Sequence, residues 1–141
     1  MSIIKHKTAE RDLLARLMRA EAVGEGSLGM LMVGNVVINR GLADCLTFKN
    51  VNTIYDVIYQ QNQFSGTQSS LFYSNPTTKE KNLADRVIRG EYFHPATNAL
   101  WFYAPRGNTT CKSVWYDQAL SGRFKSHCFY IPDTGVCKQI H

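Results

Sequence analysis

The sequence predicts an α+β fold: helices over the N-terminal two thirds and a small antiparallel sheet in the C-terminal third. Three observations predict it. Apolar residues recur at helical spacing through roughly the first 90 residues,. From Ala99 onward they gather in short aromatic and β-branched runs closed by prolines,. Helices come first and strands afterwards, without βαβ alternation.

Thr8 can cap a first helix whose opening turns hold Glu10 and Asp12, an acidic start that suits the helix dipole,. Leu13, Leu14, Leu17 and Met18 form its stripe, and Gly24 and Gly26 end it,. Ser27 can cap a second helix ending near Arg40-Gly41. Its Leu28, Met30, Leu31, Met32, Val33, Val36, Val37 and Ile38 are apolar on nearly every side, which predicts the centre of the core,. Asn52-Thr53 opens a short third helix, and Asn75-Pro76-Thr77-Thr78 a fourth that stops at Gly90,. Residues 64–70 between them read as a polar loop. Ala99–Tyr103, Val114-Trp115-Tyr116 and His127–Ile131 are strand candidates, with a turn-rich loop at 106–110,.

The 141 residues suit one domain, spanning 1–141,. A net charge of +5 favours anionic partners or polymers, though the basic residues are scattered,. No helix-turn-helix, RRM or zinc pattern points to nucleic acid. No run of about 18 apolar residues suggests a membrane span. The start Met1-Ser-Ile-Ile-Lys-His-Lys lacks the h-region of a signal peptide, so synthesis and folding in a cytoplasm are expected,. Cys45, Cys111, Cys128 and Cys137 form no Cys-x-x-Cys pair. A cytoplasmic origin argues for thiols, at least two of them buried and structural; an oxidising surface would permit any of three disulfide pairings.

Glu21 is the residue out of place. With Leu13 at zero on a helical wheel, Leu14, Leu17 and Met18 fall at roughly 100°, 40° and 140°, and Glu21 at roughly 80°, inside the apolar stripe. Arg16 and Arg19 lie on the other side. A carboxyl on a core-facing stripe loses hydration, which raises its pKa. A carboxylic acid still protonated near neutrality is what glycosidic cleavage needs, because the leaving oxygen must receive a proton. The structural alternative is a buried Glu bonded to backbone or an ion network. Glu25, at i+4, shares the face of Glu21 if the helix continues through Gly24, and otherwise lies in a loop at the mouth of the site. With only 11 acidic residues, a second carboxylate has few candidates, so a mechanism in which the substrate supplies the nucleophile fits,.

Arg19-Ala20-Glu21-Ala22-Val23-Gly24-Glu25-Gly26 and Gly34-Asn35-Val36-Val37-Ile38-Asn39-Arg40 resemble the signature of the SleB/CwlJ family of spore cortex-lytic enzymes. Matches continue through Ile58-Tyr59-Gln60, Gln63-Phe64, Thr97–Tyr103 with Pro105, and His127–Tyr130, from about residue 10 to 132. The short form and the run Phe124–Tyr130 are closer to the CwlJ branch. The resemblance implies a lysozyme-like domain related to resuscitation-promoting factors. It implies a peptidoglycan hydrolase acting on spore cortex during germination, a lytic transglycosylase or muramidase cleaving the MurNAc–GlcNAc bond. Glu21 is then the catalytic acid and Glu25 the second motif glutamate. It also implies synthesis in the mother cell, deposition at the spore coat or outer cortex boundary, cortex with muramic-δ-lactam as substrate, and another coat protein as partner. No cofactor is needed for the chemistry, although calcium–dipicolinate is an expected activator.

Among supporting residues, Tyr103 is expected to line the groove as a sugar platform, and Gln63, Asn98 and Tyr130 to bond N-acetyl groups. Each is also an ordinary core, loop or strand-end residue. His6, His94, His127 and His141 show no His-Glu-x-x-His spacing, so no metal site is expected, and a Cys128–His127 pair would point to opposite faces of a strand,. An N-acetylmuramoyl-L-alanine amidase and a non-catalytic wall-binding coat module are the alternative functions. Oligomeric state is not legible.

Overall fold

A computed structural model describes residues 1–61, 63–107, 109–115 and 117–141. Four helices precede a four-stranded sheet: α1 (Thr8–Ala22), α2 (Gly26–Ala43), α3 (Ile54–Ile58), α4 (Thr78–Ile88), then β1 (Trp101–Tyr103), β2 (Val114–Trp115), β3 (Gln118–Phe124) and β4 (His127–Ile131). The sheet is antiparallel in the order β1-β4-β3-β2.

The helix boundaries differ from the expected ones where caps compete. Lys7, not Thr8, takes the cap position of α1, and its N–H donates to Glu10 Oε1 at 3.0 Å. Between α1 and α2 runs a 3-10 turn, Val23–Glu25, so the two Glu residues of the motif do not share one continuous helix face. Gly26, at φ +79, redirects the chain, which places Glu25 rather than Ser27 at the start of α2,. Thr53 and Thr77 cap α3 and α4 by accepting from Asp56 N and Glu80 N, and Gly90 (φ +101) follows α4,. Residues 64–70 are not irregular: Ser65–Gln68 and Ser70–Phe72 are short 3-10 turns.

The core lies among α1, α2 and α4. Leu14, Leu17, Met18, Val33, Val37, Leu83 and Val87 are all buried there. At Gly34 a Cβ would meet Val87 Cγ2 at 2.9 Å and Met18 Sδ at 3.0 Å, so α2 passes its neighbours at closest approach here. A second cluster of Phe48, Leu100, Trp101 and Tyr130 joins the end of α2 to the sheet. By composition and length Thr8–Ala43 would pass for a membrane span, but 61% of its most apolar window is buried. The all-round apolarity of α2 is matched by protein from Gly29 to Gly41, whereas Leu28, expected in the core, is exposed in the first turn.

Polar residues on α2 anchor the segment that joins α4 to β1. Asn35 Nδ2 donates to Glu91 O and its Oδ1 accepts from Phe93 N. Asn39 Nδ2 reaches the carbonyls of Ala96, Thr97 and Ala99 at 2.9–3.2 Å. Arg40 Nε donates to Leu100 O at 2.7 Å. These bonds satisfy a buried loop that has no ladder of its own, and they place β1 against α2. Replacing Asn39 by Ala removes this donor, leaving Ala96 O only the Ala99 N–H and taking the side-chain partner from Thr97 O and Ala99 O; a loss of about 1–3 kcal/mol is expected, read as a lower denaturant midpoint at unchanged m-value.

The sheet holds two corrections. The strand Gln118–Phe124 was not expected. Its Gln, Ser and Gly are poor strand formers, but pairing on both sides outweighs propensity,. The ladder is irregular between Leu120 and Gly122, where a Cβ at 122 would meet Pro95 Cβ at 2.8 Å,. The expected strand Val114-Trp115-Tyr116 is present at Val114–Trp115; Tyr116, like Asn108 of the 106–110 loop, lies outside the described residues. The cysteines, which the sequence leaves open between thiols and any of three pairings, form two disulfides: Cys45–Cys137, tying the end of α2 to the C-terminal tail, and Cys111–Cys128, tying the 104–113 loop to β4. Their Cα separations, 5.6 and 5.8 Å, sit within bridging range,. Closing loops of 92 and 17 residues constrains the unfolded chain, worth about 4.6 and about 3 kcal/mol in the chain-entropy account.

Candidate active site

Glu21, in the last turn of α1, opens into a cleft of about 460 Å³ lined also by Ala20, Arg40, Gln63, Ser65, Phe102, Tyr103, Ala104 and His127. One side is helical, the other is β1 and the start of β4. The apolar stripe of α1 directs Glu21 inward, as the wheel predicts. Its carboxylate accepts the Gly66 N–H from the Ser65–Gln68 turn in a short bond. Burial raises the Glu21 pKa above the ordinary carboxyl value, against the opposing pull of the Gly66 amide and of Arg40,. Arg19, expected to be no partner, indeed turns away: it binds Glu80 at 2.9 Å and the carbonyls of Leu71, Ser74 and Asn75.

Gly66 leaves no room. A Cβ there would overlap Glu21 Oε2 and stand 3.0 Å from Cδ. Gly66→Ala is expected to push the carboxyl aside and lower kcat about 100-fold while the far-UV circular dichroism stays unchanged; wild-type kcat would show that the carboxyl position is not critical.

Arg40 forms the floor. It is 3% exposed, donates Nη1 to Gln63 Oε1 at 3.1 Å, and lies 4.7 Å from the centroids of Phe48 and Phe64,. Burial pushes it down to about 9, offset in part by Glu21, so it remains a cation at neutral pH,. It was not anticipated as a site residue. The available signal was a lone cation near the end of a helix apolar all round.

Glu25 is not open to the mouth. Its Oε1 accepts from Ser126 N at 2.8 Å, Ser126 Oγ at 2.5 Å and His127 Nδ1 at 3.0 Å, while Lys125 Nζ donates to its carbonyl. Burial alone would raise the Glu25 carboxyl, but the Ser126 bonds and His127 outweigh it and hold it below the usual range. Burial lowers the His127 pKa, with Glu25 opposing. His127 therefore lines the cleft as a neutral imidazole near pH 7, a role sequence reasoning did not assign. Cys128 faces elsewhere, in its disulfide.

Of the expected supporting residues, Gln63 and Tyr103 share the cleft with Glu21. Asn98 and Tyr130 are not brought there. Asn98 clasps the C-terminal tail, accepting from Ile140 N and His141 N beside a separate cavity of about 360 Å³. Tyr130 is fully buried, and its hydroxyl donates to Lys112 O at 2.8 Å. A strand-end tyrosine has no sequence mark that separates cleft from core; here the ring packs with Tyr103 and Trp115 behind the cleft wall.

Past Arg40, Gln63 and Phe102, which belong to both, the cleft continues into a space of about 490 Å³ lined by Leu46, Thr47, Trp101, Trp115 and Gln118. A continuous groove with an acid in one part and aromatic rings in another suits an extended glycan, whose sugar rings stack their C–H faces on such side chains.

Known proteins similar to this chain are cell wall hydrolases. A family described as Cell Wall Hydrolase matches residues 24–130; Glu21 stands just before the matched range. The chain is 51% identical to cell wall hydrolase CwlJ of Oceanobacillus iheyensis over 99% of both chains, and 45% identical to that of Bacillus subtilis over 100% of this chain and 98% of the other. The crystal structure of the catalytic domain of Bacillus cereus SleB superposes with a TM-score of 0.71 at 25% identity, covering 89% of this chain and 92% of that one. The catalytic domain of SleB from Bacillus anthracis, at 24% identity and a TM-score of 0.68, shares the fold. The lysozyme-like α+β fold is that of these domains, and the chain belongs to the cell wall hydrolase family, in the SleB/CwlJ group of peptidoglycan hydrolases.

Proposed function

We propose that the chain cleaves the MurNAc–GlcNAc bond of spore-cortex peptidoglycan during germination, as a lytic transglycosylase with Glu21 as its acid. The observation that carries this reading is the Glu21 carboxyl: desolvated, raised in pKa, and open to a cleft that shares Arg40, Gln63 and Phe102 with a second, aromatic-lined space. The protonated carboxyl gives its proton to the leaving glycosidic oxygen as the C1–O bond breaks. Arg40 then stabilises the carboxylate left behind.

A two-carboxylate hydrolase needs a second free carboxylate across the bond. Glu25 does not fill that position, because its oxygen is committed to Ser126 and His127. The muramic-acid 6-hydroxyl supplies the nucleophile instead and closes an anhydro ring. The Bacillus cereus relative named a spore cortex-lytic enzyme, 28% identical over 104 residues, supports cortex as the substrate.

Mass spectrometry of products from purified cortex with intact muramic-δ-lactam tests this. Anhydromuramic ends are expected. Reducing ends would replace the transglycosylase by a hydrolase, and stem peptides freed from uncut glycan would replace both by an amidase. A zinc amidase needs about three protein ligands, and among the described residues no group of three His, Cys, Asp or Glu is placed to hold a metal.

A further inference from the structure

The Glu25–His127 pair sits at the cleft with no part in the mechanism so far. His127 is 6% exposed, lines the cavity that holds Glu21, and packs edge-on against Phe102 at 5.3 Å. Its Nδ1 is 3.0 Å from Glu25 Oε1. Among the described residues its Nε2 has no partner. Glu25 is fixed by Ser126 N and Oγ, and Lys125 Nζ on its carbonyl anchors the β3–β4 turn to the turn between α1 and α2.

An ionised carboxylate only accepts hydrogen bonds, so the ring nitrogen facing it must carry the proton. That makes the imidazole the Nδ1–H tautomer and leaves the Nε2 lone pair unused on a ring that lines the cleft. A base oriented through its second nitrogen by a carboxylate recurs in nucleophile activation.

We propose that His127 is a second catalytic residue, the base that takes the proton of the attacking hydroxyl, and that Glu25 is the positioning residue that sets its tautomer. This rests on the glycosidic reading above. The new C1–O bond forms from the hydroxyl oxygen, and its proton passes to Nε2. The resulting imidazolium is paired with the Glu25 carboxylate. The old C1–O bond breaks with its electron pair on the leaving oxygen, which takes the proton of Glu21. Solvent then carries the proton from His127 back to Glu21, and the enzyme is restored.

Groups facing His127 are Glu25 from the α1–α2 turn, Glu21 and Arg40 across the cleft, Tyr103 on β1, and Lys125 on its own hairpin. Of these, the carboxyls of Glu21 and Glu25 are the ones that change charge on the acid side, and Glu25, held low by Ser126 and His127, does so last,. Wild-type kcat/KM on cortex fragments is expected to be bell-shaped, with an acidic limb below 6.5 from protonation of His127,. His127→Gln should lower kcat about 100- to 1,000-fold and remove the acidic limb. Glu25→Gln should keep the limb but move it to lower pH, since the imidazolium loses its counter-charge. A ¹⁵N spectrum of the wild-type ring should report Nδ1–H and bare Nε2, a readout that needs no variant.

The proposal is overturned by an Nε2–H tautomer, or by a His127→Gln protein that keeps wild-type kcat or keeps the acidic limb. In those cases Glu21 itself takes back the hydroxyl proton. If Glu21→Gln is also active, the glycosidic reading has failed as well; if it is inactive, only the role of His127 has.

Discussion

A Glu21→Gln protein will fold as the wild type does and release no muropeptides from decoated spores or purified cortex, with kcat lower by about 1,000-fold or more. Gln is nearly isosteric and keeps an oxygen for the Gly66 amide, so the loss reports the missing proton rather than a displaced chain. The same substitution should stabilise the fold in a pH-dependent way. Burial raises the folded pKa of Glu21 above its value of 4.5 in the open chain. The folded state therefore binds more protons than the unfolded state between these values, and wild-type stability falls as pH rises through that window. Gln has no such fall. Denaturant unfolding should show the advantage of the variant growing from pH 4 to pH 7.5, a trade of stability for activity. An advantage independent of pH would mean that Glu21 is not desolvated, and the acid would have to be sought elsewhere.

Arg40→Met should damage the fold and the site together. It removes the donors to Leu100 O and Gln63 Oε1 and the cation from between Phe48 and Phe64. A cost of about 3 kcal/mol or more is expected, since buried partners are left unpaired. The charge loss has its own signature. Arg40 pulls the Glu21 pKa down, so without it the carboxyl holds its proton longer and the alkaline limb of activity moves to higher pH. Arg40→Lys should restore that limb but not the stability, because an ammonium carries the charge without the planar fork. An alkaline limb unmoved by Arg40→Met would show that the two groups are not coupled.

The helical half was readable because periodicity is a local property. The stripe of Leu13, Leu14, Leu17 and Met18 was enough to turn Glu21 inward. The position of Glu25 depended on whether Gly24 and Gly26 broke the helix, and the backbone at Gly26 decides it. Arg40 and His127 were missed for another reason. Their roles come from the partners that α2 and β4 pack against; along the chain the one mark is the charge of Arg40 on an otherwise apolar helix, and His127 has none. The same holds for β3, whose residues favour no strand until β2 and β4 flank it, and for the cysteines, where proximity overrode the expectation drawn from compartment. Asn98 and Tyr130 show the converse: suitable chemistry near a strand end, already committed to the tail and to Lys112.

The anchoring of the 91–100 segment by Asn35, Asn39 and Arg40 has a consequence for how such a chain tolerates length changes. All three act from one helix at fixed angular intervals. A single inserted residue inside Gly26–Ala43 would swing every later side chain by about 100°, carrying Arg40 off its carbonyl and out from under the acid. The stretch between β1 and β2 is held instead at single points, by the Cys111–Cys128 bridge and the Tyr130–Lys112 bond, so a change of length there would not rotate one anchor against another as it does inside a helix, and the spacing from Glu21 to Arg40 is the one that has to stay constant.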